Sequence, residues 1–229
     1  MLTIYGIPIS VHTRKAIVTA ILKGIEYKVE PVIPFNPPPD WRALSPTGLI
    51  PVIRDGDFTL ADSTAICLYL NRKRPAPPLL PDNAAAFGQV IWFDSYAGHV
   101  FRHLVHGLFF QKVVRPAILI EETDQAAVDD LLERARPQLF GYLDGRLDHP
   151  FPAGVALTLA DIAIVSNLIN YQYLGYTIDA ARYPRLARYA RDIVAHTALQ
   201  KALADEEPFA EQMGLKRDFI VGELSEAPA

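Results

Sequence analysis

Residues 47–66 read Thr-Gly-Leu-Ile-Pro-Val-Ile-Arg-Asp-Gly-Asp-Phe-Thr-Leu-Ala-Asp-Ser-Thr-Ala-Ile. An apolar strand over Leu49 to Ile53 meets Asp55-Gly56, a dipeptide suited to a hairpin turn, and a short return strand from Phe58 to Leu60. A helix then starts at about Asp62 and runs to Lys73. Pro51 lies at the head of the first of these strands, where a missing ladder donor marks either a cis bond or an edge position. Working back towards the N-terminus, Leu2 to Ile7 reads as a strand and Ser10 to Lys23 as a helix with Ile17, Ala20 and Ile21 on one face. Gly24 stops that helix, and Glu26 to Ile33 alternates as a second strand. The segment from Pro34 to Thr47 is irregular. The order is β-α-β-loop-β-β-α.

Downstream the pattern changes. Of the 19 prolines, 12 fall within the first 81 residues, and Arg74-Pro75-Ala76-Pro77-Pro78-Leu79-Leu80-Pro81 can neither continue a helix nor make a tight turn. This divides the chain into an α/β unit (1–75), a linker (76–85) and an all-α helical-bundle unit (86–229). The predicted helices are Ala84 to Arg115, ending at Pro116, and Thr123 to Arg146, bent at Pro137. They are followed by a helix opened by the Thr158-Leu159-Ala160-Asp161 capping box, with Leu157 and Ile162 at staple positions, then Pro184 to His196 and Thr197 to Glu207. The tail from Gly222 to Ala229 reads as loose.

The chain has 229 residues, is 50% apolar and 21% charged, and carries a net charge of −4. Disorder is excluded, and a chain of this length buries roughly 70% of its unfolded surface without staples. A pI near 5.9 and no long basic run argue against nucleic acid as a partner. Cys67 is the only cysteine, so an intrachain disulfide, a CxxC pair and a cysteine zinc cage are excluded. No stretch reaches the ~18 apolar residues of a membrane span. The N-terminus reads as a strand without a basic, then apolar, leader, which suggests a cytoplasmic protein.

Three places in the α/β unit invite chemistry. Ser10, in Pro8-Ile9-Ser10-Val11-His12-Thr13-Arg14, stands at a helix start where free N–H groups and the dipole favour an anion; it reads equally as a plain N-cap. Ile50-Pro51, if cis, would leave neighbouring backbone groups open to an extended peptide. Asp62-Ser63 puts a hydroxyl and fresh N–H groups where a carboxylate could bind, with an acid beside them for an ammonium, or is merely a capping pair.

In this order, these motifs resemble the cytosolic glutathione transferase family over nearly the whole chain. They are the S-x-x-x-R entry (Ser10 to Arg14), the Ile50-Pro51-Val52 strand, the Asp62 to Ile66 helix start and the Thr158 to Asp161 box. The likeness is to a serine-type, bacterial-like member. It implies a thioredoxin-like domain followed by a helical one, glutathione as co-substrate, a homodimer, and conjugation of the glutathione thiolate to small hydrophobic electrophiles. Ser10 would hydrogen-bond the sulfur, with Tyr5 as runner-up on strand one. Ile50, beside Pro51, would pair with the cysteinyl backbone, Asp62 and Ser63 would hold the γ-glutamyl end, and Asn36 would approach the glycyl carboxylate. Asp62 stands where glutamate is commoner, and Gly48 has no side chain where other members supply a contact. Alternative readings on the same fold are a glutathione-dependent isomerase, peroxidase or lyase, or a non-catalytic binding or interaction module.

The resemblance puts an electrophile cleft between the units, lined by the first long helix: Tyr96, His103, His106 and Phe110, with His99 and Arg102 nearby. The spacing of His99, His103 and His106 could suit a metal, but no carboxylate shares the face, so no metal is expected. The stripe reads as substrate-facing polar surface or as plain packing. His12 reads as solvent-facing and Cys67 as a small core residue.

Overall fold

The computed structural model describes residues 1–221; the tail expected to be loose, 222–229, lies outside the described residues. Four strands form one sheet in the order β2-β1-β3-β4: β1 (Leu2–Tyr5), β2 (Tyr27–Glu30), β3 (Val52–Asp55) and β4 (Phe58–Ala61). β1 runs parallel to β2, which requires a crossover, and α1 (Val11–Leu22) supplies it. β3 runs antiparallel to both neighbours, with Tyr5 opposite Val52 and Val52 opposite Ala61. All three long strands are shorter than the sequence suggests. β1 stops where Gly6 turns to φ 155, β2 stops before Pro31, and β3 starts only after Pro51, whose ring nitrogen cannot donate to a ladder.

Alternation along the strands sorts the two faces of the sheet. Leu2, Ile4 and Ile53 pack with α1 and α3 (Ser63–Lys73) in the main core. Val52 faces the other way, into a small cluster with Val32 and Trp41, against which Tyr5 and Ile50 pack. Trp41 opens α2 (Trp41–Leu44), a single turn within the segment that reads as irregular.

The helical unit starts at α4 (Ala84–Tyr96). This continues unbroken through a π-helical segment (Ala97–Phe101), α5 (Arg102–Phe109) and a second π-helical segment (Phe110–Leu119). The helix therefore passes Pro116 instead of ending there. In i→i−5 bonding Pro116 would leave the Gln111 carbonyl without its donor, and the Thr123 hydroxyl donates to that oxygen at 3.0 Å. The run ends at Ile120, which is left-handed at φ 55. The second hairpin arm is α6 (Gln125–Asp130), a π-helical turn (Leu131–Ala135) and α7 (Arg136–Gly145), so the break precedes Pro137. Asp124 caps its start by accepting from Ala127 N–H at 3.1 Å.

α8 (Leu159–Tyr173) is the central helix, with nearly every residue buried. Its Asp161 carboxylate accepts from the Thr158 N–H at 2.7 Å, the Thr158 hydroxyl at 2.8 Å and the Tyr189 hydroxyl at 2.9 Å. α9 (Pro184–Val194), α10 (Thr197–Gln212, longer than expected and running through Pro208) and α11 (Asp218–Val221) complete the bundle. No helix among the described residues is long and apolar enough to cross a membrane.

The two units are joined through α1. The fully buried Arg14 donates from Nε to Glu206 Oε1 at 2.5 Å and from its terminal nitrogens to Glu206 Oε2 at 2.6 Å, the Ser166 carbonyl at 2.7 Å and Asn170 Oδ1 at 2.8 Å. Tyr173 adds a hydroxyl to Glu206 at 2.7 Å. One residue on, Lys15 Nζ lies 2.6 Å from Asp94 Oδ1 and donates to Thr64 Oγ1 at 2.9 Å, tying α1 and α3 to α4.

Candidate active site

Ser10 is the N-cap of α1, in extended conformation, and its hydroxyl oxygen receives Thr13 N–H at a long 3.5 Å. The bond is weak enough to leave the half-buried hydroxyl available to a ligand. The turn that carries Ser10 is fixed from the helical unit. The Ile9 carbonyl accepts from Asn170 Nδ2 at 3.0 Å and from the Arg14 guanidinium at 3.3 Å.

The N-terminus of α3 lies alongside. Asp62 caps it, accepting from Ala65 N–H at 2.9 Å, and does so at φ 79, a left-handed conformation that is strained for a residue with a Cβ. Ser63 is 5% exposed, and its hydroxyl lies 3.2 Å from Nδ1 of His12. His12 is thus not solvent-facing: α3, 51 residues further along the chain, covers it. Burial, then the charges of Lys15 and Arg102, hold its pKa down at about 4, so the imidazole is neutral at ordinary pH. Two helix starts, each with unsatisfied N–H groups and a hydroxyl, therefore converge, with His12 as the bridge between them.

The third element is Ile50-Pro51, joined by a cis peptide bond. The carbonyls before it are occupied: Gly48 accepts from the Trp41 indole at 3.1 Å and Leu49 from the Ser45 hydroxyl at 2.7 Å. The β3–β4 ladder begins only at Val52, so the Ile50 backbone lies outside it. Gly48, at φ 75, is covered by the Arg42 guanidinium, which a Cβ there would approach to 3.4 Å.

Tyr5 is on the opposite sheet face from α1, its ring 6.3 Å from that of Trp41 and beneath the Arg54 guanidinium. Asn36 is exposed in the loop after β2. Tyr96 is 8% exposed and enclosed by Trp92 and Tyr142, with ring centroids at 6.2 and 5.0 Å, and burial pushes its phenol up to about 12. His103, His106 and Phe110 are exposed along the following turns. Partial burial of its ring and then the nearby Arg102 charge lower the His106 imidazole from its usual value, although the residue as a whole is exposed. Among the described residues no group of three or more His, Cys, Asp or Glu side chains could hold a metal ion. Cys67 is buried against Thr19, and burial pushes its thiol up to about 11, which leaves it inert.

Sequence reasoning missed the His12–Ser63 contact and the Ile9 clamp. Both depend on partners 51 to 161 residues away, for which no local signal exists.

An α/β unit with a cis-proline strand head and two converging helix starts, backed by a helical bundle, defines the class of a thioredoxin-like domain joined to an all-α domain. The family models for the glutathione S-transferase N-terminal and C-terminal domains match residues 4–78 and 105–196. A glutathione S-transferase of Triticum aestivum is 28% identical over 90% of this chain and 95% of its own. Glutathione S-transferase 3 of Zea mays is 31% identical, covering 89% and 93% respectively. The solved structure of glutathione S-transferase-I bound with lactoylglutathione aligns with TM-score 0.78 at 25% identity, over 89% of this chain and 99% of that one. The chain belongs to the glutathione S-transferase family, and it is a glutathione transferase.

Proposed function

We propose that the protein conjugates glutathione to small hydrophobic electrophiles, with Ser10 holding the reacting sulfur as a thiolate. The observation that carries this is the convergence of the Ser10 and Ser63 helix starts beside the free Ile50 backbone. An extended tripeptide fits that triangle. Its cysteinyl backbone would pair with Ile50, its γ-glutamyl carboxylate would take the Ser63 hydroxyl and α3 N–H groups with Asp62 near the ammonium, and its sulfur would meet Ser10. The exposed Asn36 loop is then the approach for the glycyl end. A structural relative solved with lactoylglutathione bound supports a glutathione-type ligand for this fold.

A free thiol titrates near about 8.5, so little of it is ionised at neutral pH. Lowering this to about 6.5 takes roughly 2.7 kcal/mol, which one charge-assisted hydrogen bond and a helix dipole together can supply. The thiolate then attacks an electrophilic carbon held against α5, and no protein group becomes covalently attached. We further assign the protein as a cytoplasmic homodimer, a reading supported by the family resemblance.

The test compares native protein, Ser10→Ala and Tyr5→Phe with an aryl halide, together with the ultraviolet absorbance of bound thiolate. Ser10→Ala should lower kcat about 100-fold and abolish the thiolate band at neutral pH, whereas Tyr5→Phe should stay within about twofold. The reverse pattern would make Tyr5 the activating hydroxyl. Tight glutathione binding without a thiolate band in the native protein would favour a binding module.

A further inference from the structure

Two cations of α1 at the boundary between the units are matched by acids. Arg14 is neutralised by Glu206 at 2.5 Å and Lys15 by Asp94 at 2.6 Å. Arg102, at the start of α5, is not. Its Nε is buried with no hydrogen-bond partner, and no acid among the described residues lies within ion-pair distance of it. Arg115 and Arg217 also carry buried nitrogens without a hydrogen bond, yet each still has a carboxylate close by, Glu121 at 3.3 Å and Glu207 at 3.5 Å. Leaving a guanidinium partly desolvated and unpaired is costly, and this one is left open while the neighbouring Arg14 and Lys15 are paired.

Its position follows from its neighbours. Arg102 is among the charges that depress both His12, across the boundary at the α1 start, and His106, one turn along α5. The other charges facing His12 are Lys15 and Asp94, which satisfy each other, and Asp62, which caps α3. Arg102 therefore lies within electrostatic reach of both the α1 start and His106, on the α5 side of the boundary.

We propose that Arg102 anchors an anionic group on the second substrate, so that the cleft takes electrophiles bearing a carboxylate. This rests on the transferase reading above. In that reading both carboxylates of glutathione belong to the α/β unit, at Ser63 and near Asn36, whereas Arg102 comes from the helical unit. A planar fork of N–H donors matches a carboxylate in two-point contact, and the neutral His106 beside it donates or accepts without competing for the charge.

The experiment uses 4-chloro-3-nitrobenzoate and its neutral methyl ester. In both, the thiolate forms the C–S bond as chloride leaves with the C–Cl electron pair, and the thiol proton goes to solvent. Arg102→Gln should lower the ratio of kcat/KM for acid over ester about 10- to 100-fold, the range a charge-assisted bond sets, with Arg102→Lys keeping part of the preference. An unchanged ratio, or equal losses on both substrates, would overturn the proposal, since Arg102 would then serve the thiolate or the fold. Calorimetric binding of the acid in the presence of S-methylglutathione, whose sulfur cannot attack, separates this from the transferase reading. Native binding weakened at least about tenfold by Arg102→Gln supports the anchor even if neither compound is turned over, an outcome that would sink the transferase reading alone. No native binding of the acid would overturn the anchor.

Discussion

The 3.2 Å contact between His12 Nδ1 and Ser63 Oγ sets which way the Ser63 hydrogen points. His12 is neutral above about pH 4, so one ring nitrogen donates and the other accepts. With the proton on Nδ1, His12 donates to the serine oxygen and leaves the hydroxyl hydrogen free for a ligand carboxylate. His12→Ala should therefore raise KM for glutathione about 5- to 10-fold with little change in kcat, the scale of one hydrogen bond. In a double-mutant cycle with Ser63→Ala the two losses should overlap rather than add. Additive losses would mean that the contact only packs. Ser10 could be read from sequence because an N-cap is a local pattern. His12 could not, because the first turn of α1 gives no hint that α3 will close over it.

The entry to α1 depends on one residue that has no side chain. Gly6 sits at φ 155, and a Cβ there would lie 2.5 Å from Thr13 Oγ1 and 3.1 Å from Thr13 Cγ2, inside the first turn that positions Ser10. Gly6→Ala should cost about 1–3 kcal/mol in unfolding free energy and at least about tenfold in kcat/KM, because the helix start must shift. Gly56→Ala, in the β3–β4 turn at φ 61 with open space around it, is the comparison: about 1–2 kcal/mol of conformational strain and no effect on turnover. Similar kinetic losses in both would show that Gly6 matters only for stability. Proline punctuation read the end of α3 well but began β3 three residues early, at Leu49, and misplaced the helix end at Pro116. A local rule cannot foresee that π-helical widening and the Thr123 hydroxyl, seven residues on, will repair the missing bond. Element types were legible from periodicity; the strand ends were set by Gly6, Pro31 and Pro51, where backbone chemistry overrides an apolar pattern.

At the scale of the molecule, the site is assembled by the contact between units. Arg14 was visible only as a motif residue; its partner Glu206 lies 192 residues away, and no spacing rule joins them. Arg14→Met leaves the Glu206 carboxylate buried and short of its counter-charge, so it should cost about 3–5 kcal/mol, whereas Arg14→Met with Glu206→Leu should recover much of that loss. Urea unfolding of the native protein, Arg14→Met, Glu206→Leu and the double variant measures it, and a double variant as unstable as the sum of the singles would refute the pairing. The same interior makes a distinctive prediction about pH. His12 is held from 6.5 down to about 4, so its contribution is complete above pH 6.5 and is lost as pH falls towards 4. Asp161 runs the other way: burial pushes its carboxyl from 3.8 up to about 6, so its contribution is greatest in acid and is lost as pH rises through 6. At about 1.4 kcal/mol for each tenfold change in proton affinity, each group contributes roughly 3 kcal/mol, so between about pH 4 and 6 the two slopes nearly cancel. His12→Asn removes one of them. The native protein should then show a nearly level contribution across that window, while the variant becomes progressively less stable from pH 4 to 6 relative to it. Unfolding followed at several pH values reads this directly, and parallel native and variant profiles would show that His12 is not titrating out of a buried, neutral state.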